Sequence, residues 1–133
     1  MPRRKLAAAA RIAAAWVPAV LLVLIFVPQG WAKFSDTSGW ATAFRGWGYP
    51  VWFRMAVGAI ELSAAATLLW GRTAIVGATL IFSVMLGAIA THLMHEGGRH
   101  MTSEFVPLVL ASIVVLVRRR DAGRLLGVVR RES

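Results

Sequence analysis

The sequence predicts an all-α protein, a four-helix transmembrane bundle with both termini in the cytoplasm. Hydrophobic residues make up 58% of the 133 residues and charged residues 16%, against about 45–50% and about 25% in soluble domains. A single small domain has too little interior to bury so much apolar surface. The apolar residues form long runs, and the basic residues crowd at the two ends of the chain. We therefore expect a single domain, residues 1–133, that is surrounded by lipid.

The apolar runs place the predicted spans. A helix rises 1.5 Å per residue, so about 20 residues cross a hydrocarbon core of ~30 Å. The first run shows no convincing cleavage site after Pro28, so we expect a retained span rather than a signal peptide. The fourth is short, because its purely apolar part covers only residues 105–117. The expected spans are residues 12–31, 51–70, 73–93 and 101–117.

Two segments outside the spans have their own character. Residues 33–50 are polar with spaced aromatic side chains, typical of an amphipathic outer loop at the lipid headgroups. Residues 118–133 form a basic cytoplasmic tail, and we expect residues 121–131 to form a short helix on the inner membrane face. If the fourth segment failed to cross, six arginines would face outward, against the positive-inside rule. These are Arg118, Arg119, Arg120, Arg124, Arg130 and Arg131.

Composition and motifs exclude several functions. The formal charge of +9 does not lie on one solvated face, as a nucleic-acid binder requires, so we expect no nucleic-acid partner and membrane lipids instead. The chain has no cysteine, which excludes thiol redox chemistry within it. It contains no phosphate loop, nucleophile elbow or dinucleotide fingerprint. The six tryptophans fall mostly near predicted span ends, and we interpret them as interfacial anchors.

An ordered set of short motifs carries a family resemblance. They are GWAKF at 30–34, FRGWGYP at 44–50, GAIEL at 58–62, LLWGR at 68–72 and GATLIFSVMLGAIATHL at 77–93. In this order and spacing they resemble the DoxX family, especially its short four-span bacterial members. The resemblance implies a four-helix bundle in the bacterial cytoplasmic (inner) membrane. Some members look like subunits of thiosulfate:quinone oxidoreductase, and others are linked to membrane redox complexes.

The function expected from this resemblance is that of an accessory or ligand-binding subunit associated with quinone-linked redox processes. No cofactor is evident in the sequence, and a quinone is the candidate ligand. Redox-complex subunits or a second copy of the chain are the candidate partners. The alternatives are a membrane enzyme or proton-coupled carrier centred on Glu61, and a purely structural assembly factor. Any catalysis would be that of a quinone-linked oxidoreductase subunit, because the chain shows no redox centre of its own.

Ionisable residues at membrane depth are costly, so they mark the candidate site. Glu61 lies near the middle of the second span, and Arg54 lies seven residues earlier on the same helical face. Lys33 ends the first span on the outer side, and His92 lies near the outer end of the third. If the bundle closes, we expect these side chains to gather near the outer leaflet above Glu61. His95 and Glu96 would join them there.

Three hypotheses compete for this cluster. In the first, Glu61 is protonated or hydrogen-bonded within the bundle and the other side chains simply reach the membrane surface. In the second, an apolar slot holds a quinone, while His92, Lys33 or Arg54 donate hydrogen bonds and Glu61 exchanges protons. The third is a metal site on His92, His95 and Glu96. The metal signal is weak because the HExxH signature is absent.

Overall fold

The computed structural model describes residues 2–97 and 101–132, and within them the prediction of an all-α protein is confirmed. This part of the chain forms five α-helices and one 3₁₀ turn, with no strand. The elements are α1 (Arg3–Ala32), α2 (Gly39–Gly46), α3 (Val51–Leu68), α4 (Ala74–Glu96), the 3₁₀ turn (Met101–Glu104) and α5 (Phe105–Glu132).

The long helices α1, α3, α4 and α5 pack as a closed bundle. Helix α1 contacts α3 and α5, helix α4 contacts the same two, and the short α2 lies against α3. Each helix contributes buried residues spaced three or four apart, the repeat of one helical face. Fully buried side chains at the centre come from all four of these helices: Leu22, Phe26, Leu68, Ile81 and Val114.

Two helices extend beyond the predicted spans. Helix α1 begins at Arg3 rather than near residue 12, because the alanine-rich segment 7–10 favours helix strongly. Helix α5 continues without a break to Glu132, so the tail extends α5 instead of forming the separate short helix expected at 121–131. No proline interrupts that stretch. Ser133 and the basic side chains from residue 120 onward lie outside the described part of the chain.

The bundle has two ends that differ in construction. The link end contains the connection 69–73 between α3 and α4, with Gly71 beside Arg118 of α5. The cavity end contains the end of α1 and the end of α4, where His92 lies beside Glu104. Helix α5 therefore runs from the cavity end to the link end, antiparallel to α4.

The outward surface of the bundle is apolar. Leu24, Trp31 and Met94 are 66%, 74% and 77% exposed. In the described residues, α1, α3 and α4 are long and apolar enough to cross a membrane. Contiguous apolar surface of this extent suits hydrocarbon rather than water. The fold therefore defines a helical membrane protein.

Candidate functional site

Helices α3 and α4 approach closely at the link end and leave a space at the cavity end. At the link end, Gly77 packs so tightly that an added Cβ would contact Thr67 and would lie 2.5 Å from the carbonyl oxygen of Ala64. At Gly87, ten residues further along α4, an added Cβ would meet nothing within 4 Å. The gap between the two helices holds a cavity of about 500 Å³, covered by residues of α2 and the loop after it.

The cavity opens sideways, between α3 and α4. Its walls are largely apolar, and lining residues on the outward faces of both helices are exposed. Ile60 is 40% and Leu80 37% exposed, and Ser83 and Gly87 beside them are also exposed. Because these faces are the ones that lipid would cover, an apolar molecule could enter from the bilayer without passing through water.

A buried ion pair forms one polar wall of the cavity. Lys33 at the end of α1 donates to Glu61 of α3, with 2.8 Å between Nζ and Oε2. Both residues are 2% exposed. The same ammonium lies over the ring of Trp40, 4.0 Å from its centroid. An ammonium has three donors, so Lys33 retains hydrogen-bonding capacity beyond Glu61.

His92 is the centre of a second polar group at the same end. Its Nδ1 lies 2.8 Å from Oε2 of Glu96, and its Nε2 lies 3.4 Å from Oε1 of Glu104. Trp47 donates from Nε1 to Glu96 at 3.1 Å. These contacts join α4, the C-terminal cap of α2 and the 3₁₀ turn at the polar end of the cavity. His92 and Glu104 both line it.

Of the expected site residues, Lys33, Glu61 and His92 line one cavity and Arg54 does not. Arg54 is buried, but its Nη2 donates instead to Asp36 at 2.7 Å, and Asp36 is 80% exposed. Spacing on α3 placed Arg54 on the face of Glu61, as the sequence indicates. Asp36, in the loop after α1, supplies the carboxylate that Arg54 contacts. Arg54 therefore lies at the cavity end with the others, but it does not line the cavity.

The proposed metal ligands do not converge. His92 and Glu96 are paired, but the ring of His95 packs edge-on against Tyr49, with centroids 5.9 Å apart. Within the described residues, no group of three His, Cys, Asp or Glu side chains is arranged to hold a metal ion. The i, i+3 and i+4 spacing places all three residues on one side of α4, but their side chains do not point to a common centre.

Several lining residues were not singled out from the sequence. Trp40 and Trp47 line the cavity, whereas Trp31, Trp52 and Trp70 are 74%, 69% and 63% exposed. The two tryptophans of the loop 33–50 are half-buried and contribute to the cavity wall. Their spacing with Phe44 across the amphipathic α2 was the available signal.

Tyr49 and Glu104 were also missed as site residues. Tyr49 shares a hydrogen bond with Thr91 at 3.0 Å, and Glu104 reaches His92 from the turn before α5. Tyr49 lies outside the predicted spans and Glu104 near the start of the fourth, and each reaches the cavity only because a connection folds over the bundle. Sequence spacing along a single helix could not have found them.

The fold and this site define a class: a helical membrane protein with a laterally open cavity near one end of its bundle. The family model described as the DoxX-like family matches residues 17–117. The chain therefore belongs to the DoxX-like family, and the resemblance read from the sequence motifs is confirmed. No curated protein and no solved structure matches the chain significantly.

Proposed function

We propose that the protein is a four-span protein of the bacterial inner membrane that binds a lipid-soluble ligand, with both termini in the cytoplasm. A quinone is the candidate ligand, and the chain would serve as an accessory subunit of a quinone-linked redox system. The observation that carries the proposal is the apolar cavity of about 500 Å³ that opens towards lipid and ends at polar side chains. Small-molecule sites have this combination of volume, apolar walls and few polar groups.

The course of α5 supports a fourth span. Its residues Ala111 and Val114 are fully buried against the other long helices, and it joins the cavity end to the link end. Its apolar stretch is short, but of the arginines that follow, Arg119 is exposed and can reach the headgroups, whereas Arg118 packs against the link. The positive-inside rule then places these arginines, and both termini, in the cytoplasm.

The absence of cysteine from the sequence makes the topology testable by single-cysteine labelling in intact cells. An impermeant maleimide should label Thr37→Cys from outside. It should label Arg72→Cys and Ser133→Cys only after the membrane is permeabilised. Labelling of Ser133→Cys in intact cells would refute the four-span topology.

The ligand contacts follow from the geometry of the cavity. A quinone ring entering between α3 and α4 would lie against the aromatic side chains under α2. Lys33 could donate a hydrogen bond to one of its oxygens. Glu61, which lines the same space, would exchange a proton there. Electrons would have to come from a partner, because this chain supplies no redox centre.

The ligand is tested by extracting and identifying small molecules from the purified protein. We expect a quinone with the wild-type protein and its loss with Gly87→Phe, because that side chain would enter the open cavity. Leu86→Phe is the matched control on the same helix, since Leu86 is 48% exposed and does not line the cavity. Equal quinone content in all three proteins would show that the cavity is not a quinone site. Bulk lipid alone, with a stable protein partner, would favour the assembly factor.

A further inference from the structure

The polar end of the cavity presents the carboxylate of Glu104 near an ion pair, Lys33 with Glu61, whose charges cancel. Among the described residues that line it, Glu61 and Glu104 supply carboxylates, and Lys33 supplies an ammonium that Glu61 already neutralises. Glu104 lines the cavity, with its Oε1 3.4 Å from Nε2 of His92. An anionic headgroup would therefore be repelled from this end, whereas a positive charge would be attracted.

The walls beneath α2 are aromatic. Trp40, Phe44, Trp47, Tyr49 and Phe53 all line the cavity, and they pack against one another at centroid distances such as 5.3 Å for Phe44 and Trp47. Aromatic faces attract cations, most strongly where water is excluded. The protein already uses this attraction, because the Lys33 ammonium lies 4.0 Å from the centroid of Trp40.

These features occur together in a cavity that opens to lipid. We infer that the cavity binds lipophilic organic cations, with the positive charge held between the aromatic side chains under α2 and the carboxylate of Glu104. Such cations are selected over anions of the same shape. The inference rests on the proposed function only in that the cavity takes a ligand from the bilayer. It adds lipophilic cations, a class of ligand to which a neutral quinone does not belong.

Two probes of matched shape test the inference directly. Tetraphenylphosphonium is a lipophilic cation and tetraphenylborate its anionic counterpart. We expect saturable binding of the phosphonium to protein in lipid nanodiscs, at least about tenfold tighter than binding of the borate, after subtraction of partition into empty nanodiscs. A borate that binds as tightly as the phosphonium would overturn the inference, and this comparison needs no variant.

A charge variant then locates the site. Glu104→Gln keeps the shape of the side chain and should weaken phosphonium binding about tenfold, as expected for one unit charge within about 10 Å at intermediate dielectric. Asp36→Asn removes a charge at the same end but outside the cavity, and it should change binding less than about twofold. Binding that is indifferent to Glu104→Gln would contradict the assignment.

Gly87→Phe separates failure of this inference from failure of the proposed function. It should block both the phosphonium and the co-purified quinone. Cavity-dependent quinone binding without preference for the phosphonium would defeat the inference alone. If Gly87→Phe affected neither ligand, the cavity would not be a binding site and both proposals would fall.

Discussion

The two ends of the bundle are held together by different kinds of contact. At the link end, backbone groups and small residues meet: Gly77 lies against Thr67 and Ala64, and Thr73 donates from Oγ1 to the carbonyl oxygen of Thr67 at 2.8 Å. Arg118 closes this end by donating to the carbonyl oxygen of Gly71 at 3.1 Å. At the cavity end, α3 and α4 separate, and charged and aromatic side chains such as Lys33, Glu61 and Trp47 line the space or connect the elements around it.

The difference shows how one small bundle can be both stable and able to bind. Small residues let membrane helices approach closely, so the link end has little free volume. At the cavity end, α3 and α4 separate and leave space between them. Helix α1 stays close to α3 there, since a Cβ added at Gly58 would lie 2.9 Å from the carbonyl oxygen of Gly30. The link end would therefore carry packing stability, and the cavity end would carry ligand selection.

The largest expected effect comes from breaking the buried ion pair at the cavity end. Lys33→Met should destabilise the protein by about 3–5 kcal/mol, because it leaves the Glu61 carboxylate buried without its partner. The free energy of unfolding in mixed micelles would measure this change.

A second variant tests whether the cost comes from the unpaired charge. Adding Glu61→Leu to Lys33→Met should restore much of the lost stability, because no charge then remains unpaired. Asp36→Asn, which alters the exposed partner of Arg54, should cost no more than about 1 kcal/mol. A double variant as unstable as Lys33→Met alone would contradict this account.

The next effect compares the two glycines of α4. Gly77→Ala should cost about 1–3 kcal/mol, because the new methyl group would overlap α3 at the link end. Gly87→Ala should be neutral or stabilising by up to about 1 kcal/mol, since it adds helix propensity in open space. Thermal unfolding of the two variants under identical conditions measures the difference. Equal changes would show that the two ends do not differ in packing.

The smallest effect concerns the cover of the cavity. Ser38 caps α2 by accepting a hydrogen bond from the amide of Ala41 at 3.3 Å. Ser38→Ala should cost about 1 kcal/mol and speed amide hydrogen exchange within α2 without altering exchange in α4. Ser63→Ala, at an exposed position on α3, is the control and should leave both unchanged. Faster exchange throughout the bundle would mean that α2 is not a separate cover.

Much of the fold could be predicted from the sequence because its signals are local. Apolar runs gave the positions of α1, α3 and α4, and the short link after Trp70 required α3 and α4 to be neighbours. Hydrophobicity alone misplaced the start of α1. The helix begins nine residues before its predicted span, because helix propensity extends it there. The site was predicted in part: Lys33, Glu61 and His92 face one cavity, whereas Arg54 turns to Asp36.

The sequence by itself determined that this is a membrane protein, where its helices lie and which residues share a helical face. Hydrophobic runs and the 3.6-residue repeat carry this information because they are properties of neighbouring residues. Only the tertiary structure decided the pairing of Lys33 with Glu61, the place of Glu104 beside His92 and the opening between α3 and α4. These features depend on how far two packed helices separate and on how a loop folds over them. That geometry arises from contacts between residues far apart in the chain, which no local spacing encodes.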